Sequence, residues 1–240
     1  MMRADFHSHI LPGIDDGSKT VAESIEMLKI EAEHGITHVV ATPHFYANSD
    51  TPARFLQRRR DAECRLREEM EKHAGLPKVS VGAEVYYFHG MSEFELLSTL
   101  TIDDKGFIML EMPLSPWTNR MFEEIEQIYF KHGIVPVMAH IDRYIGPFQT
   151  YGIPERLSQM PVLVQANASF FLRLSTRGSA MRMLRQNQIQ LLGSDCHNTS
   201  DRPPNLGRVY RLIEQRLGLE AVERIWQSGV PILDDECCEL

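Results

Sequence analysis

Seven short apolar runs, separated by stretches of helical periodicity, leave this 240-residue chain few architectures. The runs occupy residues 4–9, 37–42, 79–84, 107–111, 134–140, 162–167 and 189–195. Strands rich in Val, Ile and Leu that lack polar alternation are buried on both faces, as in parallel sheets. Helical patterns fall at 21–34, 52–73, 121–132, 179–187, 206–217 and 220–227. In the first of these Val21, Ile25, Leu28 and Ala32 share one face and Gly35 supplies the stop. Strands alternating with helices imply an α/β fold with a parallel sheet under covering helices. Seven strands without a linker, repeat or low-complexity stretch point to one domain over 1–240. They also point to a closed or nearly closed barrel related to the eight-stranded kind. A doubly wound open sheet is the alternative, although no Gly-rich dinucleotide fingerprint follows the first run.

The residues that end the runs carry the chemistry. Run one ends His7-Ser8-His9, run two Thr42-Pro43-His44, run three Glu84, run four Glu111, run five His140 and run seven Asp195-Cys196-His197. In a parallel barrel these ends converge on one face, where active sites are built. His7 and His9 are two apart, so on a strand they point the same way, with Cα atoms roughly 6–7 Å apart. Asp195 and His197 repeat the arrangement with mixed ligands, and Asp15-Asp16-Gly17 adds two carboxylates on a turn. So many imidazoles and carboxylates in one pocket need cations to hold them. Mixed His and carboxylate donors suit manganese, zinc or iron better than calcium, and the lack of Cys ligation argues against a structural zinc site.

Composition removes other classes. The formal net charge of −8 disfavours a general nucleic-acid binder. No apolar stretch has transmembrane length, and the first nine residues lack a signal-peptide core, so no membrane insertion is expected. Cys64, Cys196, Cys237 and Cys238 suggest no disulfide framework, which fits a reducing, cytoplasmic setting.

These motifs resemble the PHP (polymerase and histidinol phosphatase) superfamily. The likeness is to its branch of bacterial manganese-dependent protein tyrosine phosphatases that regulate capsule and exopolysaccharide synthesis. The stretches that carry it are Asp5-Phe6-His7-Ser8-His9-Ile10, Asp15-Asp16-Gly17, Ala41-Thr42-Pro43-His44 and Gly82-Ala83-Glu84-Val85-Tyr86-Tyr87. Leu110-Glu111, Ala139-His140-Ile141-Asp142-Arg143-Tyr144, Ser194-Asp195-Cys196-His197-Asn198 and Arg202-Pro203-Pro204 complete it. The resemblance implies a distorted (β/α)7 PHP-type barrel, TIM-barrel-like, with three manganese ions. One would take His7, His9, Glu84 and Asp195; a second Glu84, Glu111 and His140; a third Asp16, His44 and His197. Arg143 and Arg202 would bind the phosphate, and Asp16 or His44 would protonate the leaving group if an acid is needed. The implied substrate is the phosphotyrosine of a partner bacterial tyrosine kinase, hydrolysed by metal-activated hydroxide. Asp142 and Phe45 depart from the usual family residues, Glu and His, and the acidic tail 234–240 carries two cysteines.

Three rivals remain in view. Cys196 and Arg202 have the Cys-x5-Arg spacing of cysteine-based phosphatases, but the intervening residues contain no glycine to wrap an anion, and Asp201 would repel it. Histidinol phosphate, a nucleotide phosphodiester or a DNA end would keep the metals and change the substrate. A non-catalytic metal-stabilised module is the third. Among other residues, His34, His73 and His132 read as helix C-terminal cations, and His38 as packed in its strand. His89, Tyr86 and Tyr87 are candidates for the pocket wall and Trp117 for its rim. Arg54, Arg58, Arg59, Arg60, Arg65 and Arg67 read as a solvated basic face, with steering of an anionic phosphopeptide as the functional alternative.

Overall fold

The computed structural model describes residues 2–146 and 152–233. Its strands are β1 (Ala4–Ser8), β2 (His38–Ala41), β3 (His44–Phe45), β4 (Lys78–Val81), β5 (Glu84–Tyr86), β6 (Phe107–Glu111), β7 (Val135–Met138), β8 (Leu163–Asn167) and β9 (Leu191–Gly193). Run two is followed past Pro43 by a second short strand, giving β2 with β3, and run three is broken within, giving β4 with β5. Pro43 interrupts the first pair, having no N–H for the ladder. Gly82 interrupts the second, where a Cβ would lie 2.6 Å from Ile102 Cγ1. Two curled parallel sheets result, ordered β1-β2-β4 and β3-β5-β6-β7-β8-β9. Ala41 O accepts from Gly82 N and Pro43 O from Glu84 N, carrying the pairing across the breaks. Asp195 N donates to His7 O and His9 N to Cys196 O, joining the end of run seven to run one. The seven runs thus follow one another in sequence order around a distorted parallel barrel.

The helices are α1 (Val21–Glu33), α2 (Pro52–Met70), α3 (Asn119–His132), α4 (Ile153–Leu157), α5 (Ala168–Leu172), α6 (Leu174–Arg185), α7 (Leu206–Leu217) and α8 (Leu219–Leu233). The Thr20, Thr51 and Thr118 side chains cap α1, α2 and α3. Gly35 and Gly133 follow α1 and α3 with positive φ, which costs glycine nothing. Two helices extend beyond the expected spans. α6 begins at Leu174 and runs through Gly178, with Arg177 tied to Phe171 O and Leu172 O. α8 continues past Gln227 because Gly229 lies against Phe6; a Cβ there would be 1.9 Å from Phe6 Cζ. Trp226, Ile232 and Leu233 of α8 pack with Ala4, Phe6, Val40, Met109, Val137 and Leu191 of the strands. The larger apolar cluster fills the layer shared by strands and the other helices. α4 and α5, too short for a clear helical period, were not expected from the sequence.

Candidate metal centre at the strand ends

A bulge aims the first two histidines. Asp5 pairs with Val39 and Ser8 with Ala41, so β1 carries one more residue than β2 over this interval. Ala4 and Phe6 face the α8-side core, Asp5 turns out toward Glu31 of α1, and beyond the bulge His7 and His9 share one face. Register does the same for the next pair, since His44 of β3 lies beside Glu84 of β5. His140 and Asp195, just past β7 and β9, adopt left-handed backbone conformations with φ of 34° and 55°. Such strain in non-glycine residues persists only where surrounding contacts hold it, and it clusters at functional sites.

All nine residues singled out as candidate ligands meet in one cluster. His7 Nε2 lies 3.3 Å from His9 Nε2. Glu84 Oε2 is 3.2 Å from the first and 3.3 Å from the second, and Asp195 Oδ1 is 3.8 and 3.5 Å from them. His140 Nε2 is 2.9 Å from Glu84 Oε1 and 3.5 Å from Glu111 Oε1. His44 Nε2 and His197 Nε2 stand 3.5 and 3.4 Å from Asp16 Oδ1. His7, His9, Glu84, His140, Asp195 and His197 are buried, whereas Asp16 is exposed at the mouth. Among the nine, ligand-capable atoms within reach of one ion form three groups, none of which includes His140: His9, Asp16, His44 and His197; His7, His9 and Asp195; and His44, Glu84 and Glu111. His9 and His44 each fall in two groups, so the partition is less strict than one set per ion.

The donor chemistry fits cations. His7 Nδ1 faces the carbonyl oxygen of Gln165 at 3.3 Å, and His9 Nδ1 faces Asp15 Oδ2 at 2.8 Å. Both partners accept, so both rings carry their proton on Nδ1 when neutral and turn Nε2 lone pairs toward each other. Glu84 Oε2 and His44 Nδ1 are buried 3.0 Å apart, yet neither has hydrogen-bond geometry to any partner. Lone pairs and carboxylate oxygens converging without donors are stable only around positive charge.

The acid–base pattern agrees. Burial opposes charge on His9, but the hydrogen bond to Asp15 and the nearby carboxylates of Asp195 and Glu84 outweigh it and raise its pKa well above the usual value. His140 is likewise opposed by burial and pushed up to about 9 by Glu111 and Glu84. Burial would raise Glu84 and Asp195, but the surrounding histidines hold both below the usual carboxylate range. His197 goes the other way, to about 4, through burial and the nearby charges of His9 and Arg202. It is a neutral imidazole that accepts from Arg202 at Nε2, at 2.9 Å.

Comparison with known proteins places the chain. The family model for capsular polysaccharide synthesis, CpsB/CapC, matches residues 3–230. The chain belongs to the CpsB/CapC family. Tyrosine-protein phosphatase CpsB of Streptococcus agalactiae is 26% identical over 232 residues, spanning 92% of this chain and 94% of the relative. Tyrosine-protein phosphatase YwqE of Bacillus subtilis is 27% identical over 245 residues, spanning 97% and 92%. A crystal structure from a study of YwqE from Bacillus subtilis and CpsB from Streptococcus pneumoniae, described as metal-dependent tyrosine phosphatases, superimposes with a TM-score of 0.80. It is 23% identical and covers 95% of this chain and 94% of that one.

In this CpsB/CapC chain, several residues that sequence reading passed over hold the cluster in place. Run six alone ends without an imidazole or carboxylate, but it supplies Gln165 and Asn167. Gln165 accepts from His140 N at 2.6 Å as well as facing His7, and donates to Asn167 Oδ1 at 3.0 Å. Asn167 donates in turn to Asp195 Oδ2 at 2.9 Å. Asp15, read only as half of a turn, accepts from Gly17 N and His44 N and is bonded to His9. Gly17 is required there, because a Cβ would lie 2.2 Å from His9 O. The signal for Gln165 and Asn167 was their spacing of two at a strand end, the same spacing that marked His7 and His9.

Other residues differ from expectation. The α2 arginines are not simply a solvated face: Arg58 and Arg65 donate to Ile14 O and Pro12 O, and Arg59 and Arg67 to Gly82 O and Val79 O. They pin the Asp15 loop and the third run through buried carbonyls. His89 faces Glu124 at 3.0 Å, and Tyr87 donates to the same carboxylate, so neither lines the cluster. Trp117 is buried against Tyr144 and Phe122 and is not a rim residue. His34 caps the C-terminus of α1, where burial and Arg211 lower its pKa and so disfavour its charged form. Cys196 is fully buried beside Asp5 and Glu31, away from the arginines, and burial raises its thiol well above the usual value. A protonated thiol facing two carboxyls is no nucleophile, so the cysteine-phosphatase geometry is not present. Phe45 packs on Phe55 in the core. Cys237 and Cys238 lie outside the described residues.

Proposed function

We propose that this chain is a metal-dependent protein tyrosine phosphatase that works with manganese as one cytoplasmic domain. Its substrate would be a phosphotyrosine protein, the partner bacterial tyrosine kinase of capsule or exopolysaccharide assembly. One observation carries the reading: nine His, Asp and Glu side chains from six strand ends and one loop converge, with imidazole lone pairs and carboxylate oxygens about one ion's width apart. The names of the curated relatives give the substrate class. Among the described residues no helix is long and apolar enough to cross a membrane.

His7, His9, Asp16, His44, Glu84, Glu111, His140, Asp195 and His197 would hold the ions, with Glu84 shared because its two oxygens face different histidines. Bound divalent cations supply a water acidified toward neutrality and positive charge against the phosphoryl oxygens. Arg143 and Arg202 stand at the mouth, half exposed. Arg143 donates to Glu111 Oε1 at 3.2 Å and Asp195 Oδ2 at 2.9 Å, and Arg202 contacts Asp195 Oδ1 at 2.6 Å and His197 Nε2. Those acceptors belong to proposed ligand residues, so ligation there would free guanidinium N–H groups for the phosphoryl oxygens, whose geometry a planar fork matches. A tyrosine phenolate, with a parent pKa near 10, leaves with less proton assistance than an alkoxide. Asp16 or His44, beside the exposed opening, would give that proton if one is needed.

The test is a substrate panel on metal-defined protein: a phosphotyrosine peptide, a phosphoserine peptide and histidinol phosphate. Chelation abolishes and Mn2+ restores hydrolysis of the phosphotyrosine peptide, which is preferred over both others. Activity that survives thorough chelation overturns the mechanism, and preference for histidinol phosphate overturns the substrate.

A further inference from the structure

The cluster opens into two cavities of different chemistry. One, of about 380 Å3, is lined by Asp142, Arg143, Asn167, Asp195 and Arg202 among others, with no aromatic side chain in its wall. The other, of about 460 Å3, is lined by Ile14, Asp16, His44, Tyr46, Asp50 and Arg54 among others. Tyr46 lies two residues beyond His44 and stacks on its ring, with centroids 5.3 Å apart and planes at 30°. It also meets Tyr86 at 5.7 Å, yet remains 38% exposed. An aromatic side chain left open at the lip of a cluster of charged groups is positioned to contact whatever the phosphoryl group is attached to.

Resting on the phosphatase reading, we propose that Tyr46, backed by His44 and Tyr86, is the wall against which the phosphotyrosine ring packs, making it the residue that selects aryl over alkyl phosphoesters. Arg143 and Arg202 line the other cavity, so phosphoryl oxygens held by them leave the ester oxygen and its ring to face the Tyr46 cavity. A phenyl ring finds an offset or edge-on aromatic partner there. A phosphoserine side chain, one methylene long, presents no ring and brings its backbone against the charged rim.

The contact is made in both the bound and the reacting complex, so its loss is read in binding rather than turnover. In manganese-loaded protein, Tyr46→Ala raises KM for a phosphotyrosine peptide by roughly three- to tenfold, the range of aromatic pairing, with kcat little changed. It weakens equilibrium binding of the matching difluorophosphonate peptide by the same factor. The inhibition constant of inorganic phosphate, which has no ring, stays at the wild-type value. Tyr46→Phe recovers most of the lost affinity, since the ring and not the hydroxyl makes the contact. Unchanged peptide binding in Tyr46→Ala refutes the proposal, as does a parallel rise in the phosphate constant, which would mean that Tyr46 acts through His44. If wild-type protein fails to hydrolyse the phosphotyrosine peptide, the phosphatase reading itself is refuted and this proposal with it.

Discussion

Gln165→Met tests whether an uncharged side chain on run six sets the affinity of the cluster for metal. The substitution conserves volume and unbranched shape, so packing changes little. It removes the acceptor for His140 N at 2.6 Å, the acceptor facing His7 Nδ1 at 3.3 Å and the donor to Asn167 Oδ1 at 3.0 Å. All of this occurs at a fully buried position. Leaving the His140 amide unpaired costs about 1–3 kcal/mol, and that residue already carries left-handed strain. At roughly 2–4 °C per kcal/mol for a chain of this size, the metal-free protein melts roughly 2–12 °C lower. The second consequence is on metal binding, because His7 loses the group that fixes its tautomer and ring orientation. Loss of such a partner weakens metal affinity by about 10–100-fold. Calorimetric titration of metal-free protein with Mn2+ measures this directly, and saturating Mn2+ restores most of the phosphatase activity. A folded Gln165→Met protein that binds Mn2+ as tightly as wild type would refute the reasoning.

Two further outcomes follow from the same geometry. Cys196→Ser retains most of its activity in a phosphotyrosine peptide assay while His197→Ala loses roughly 100-fold or more; the reverse ranking would restore the cysteine mechanism. Burial and the neighbouring Asp5 raise Glu31 well above the usual carboxylate range, so above that range the folded chain keeps a proton the unfolded chain has released. Stability therefore falls as pH rises from the usual carboxylate pKa through the raised one. Glu31→Gln flattens that decline in melting temperature against pH, and an unaltered slope would show that Glu31 is not the group responsible.

The strands and the ligand types were legible because both are local. A run of Val, Ile and Leu announces burial on two faces, and an imidazole or carboxylate at its end stands out against that background. The breaks at Pro43 and Gly82 were present in the sequence too, but only the partner strands decide whether a Pro or Gly ends a strand or merely divides it. The long α8 was not legible: Gly229 and Pro231 are both poor helix formers, and the need for Gly229 comes from Phe6, more than 220 positions away. The α2 arginines were legible only in part, for a similar reason. Arg67 pairs with Glu63 on the helix surface as spacing predicts, but Arg58, Arg65 and Arg67 also reach carbonyls on the loop before Asp15 and on the third run, which helix spacing does not show.

The same distinction explains how the centre is held. Ligand identity is written in single residues, but ligand direction is not. A regular β1 would put Asp5, His7 and His9 on one face by alternation, crowding three polar groups together. The extra residue between Asp5 and Ser8 separates them, sending Asp5 outward to Glu31 while its Oδ1 still accepts from His7 N and Ser194 N. One carboxylate thereby ties the first ligand-bearing strand to the last, behind the cluster. Gln165 ties the first to the fifth from within, and Asp15 ties His9 to His44 from the loop. Each tie joins segments that are far apart in sequence, and each uses a residue whose type alone, an Asp beside a His or a Gln in a strand, is unremarkable. His140 and Asp195 can keep strained backbones only because these ties act together, which is why a neutral substitution such as Gln165→Met should be felt at the metals.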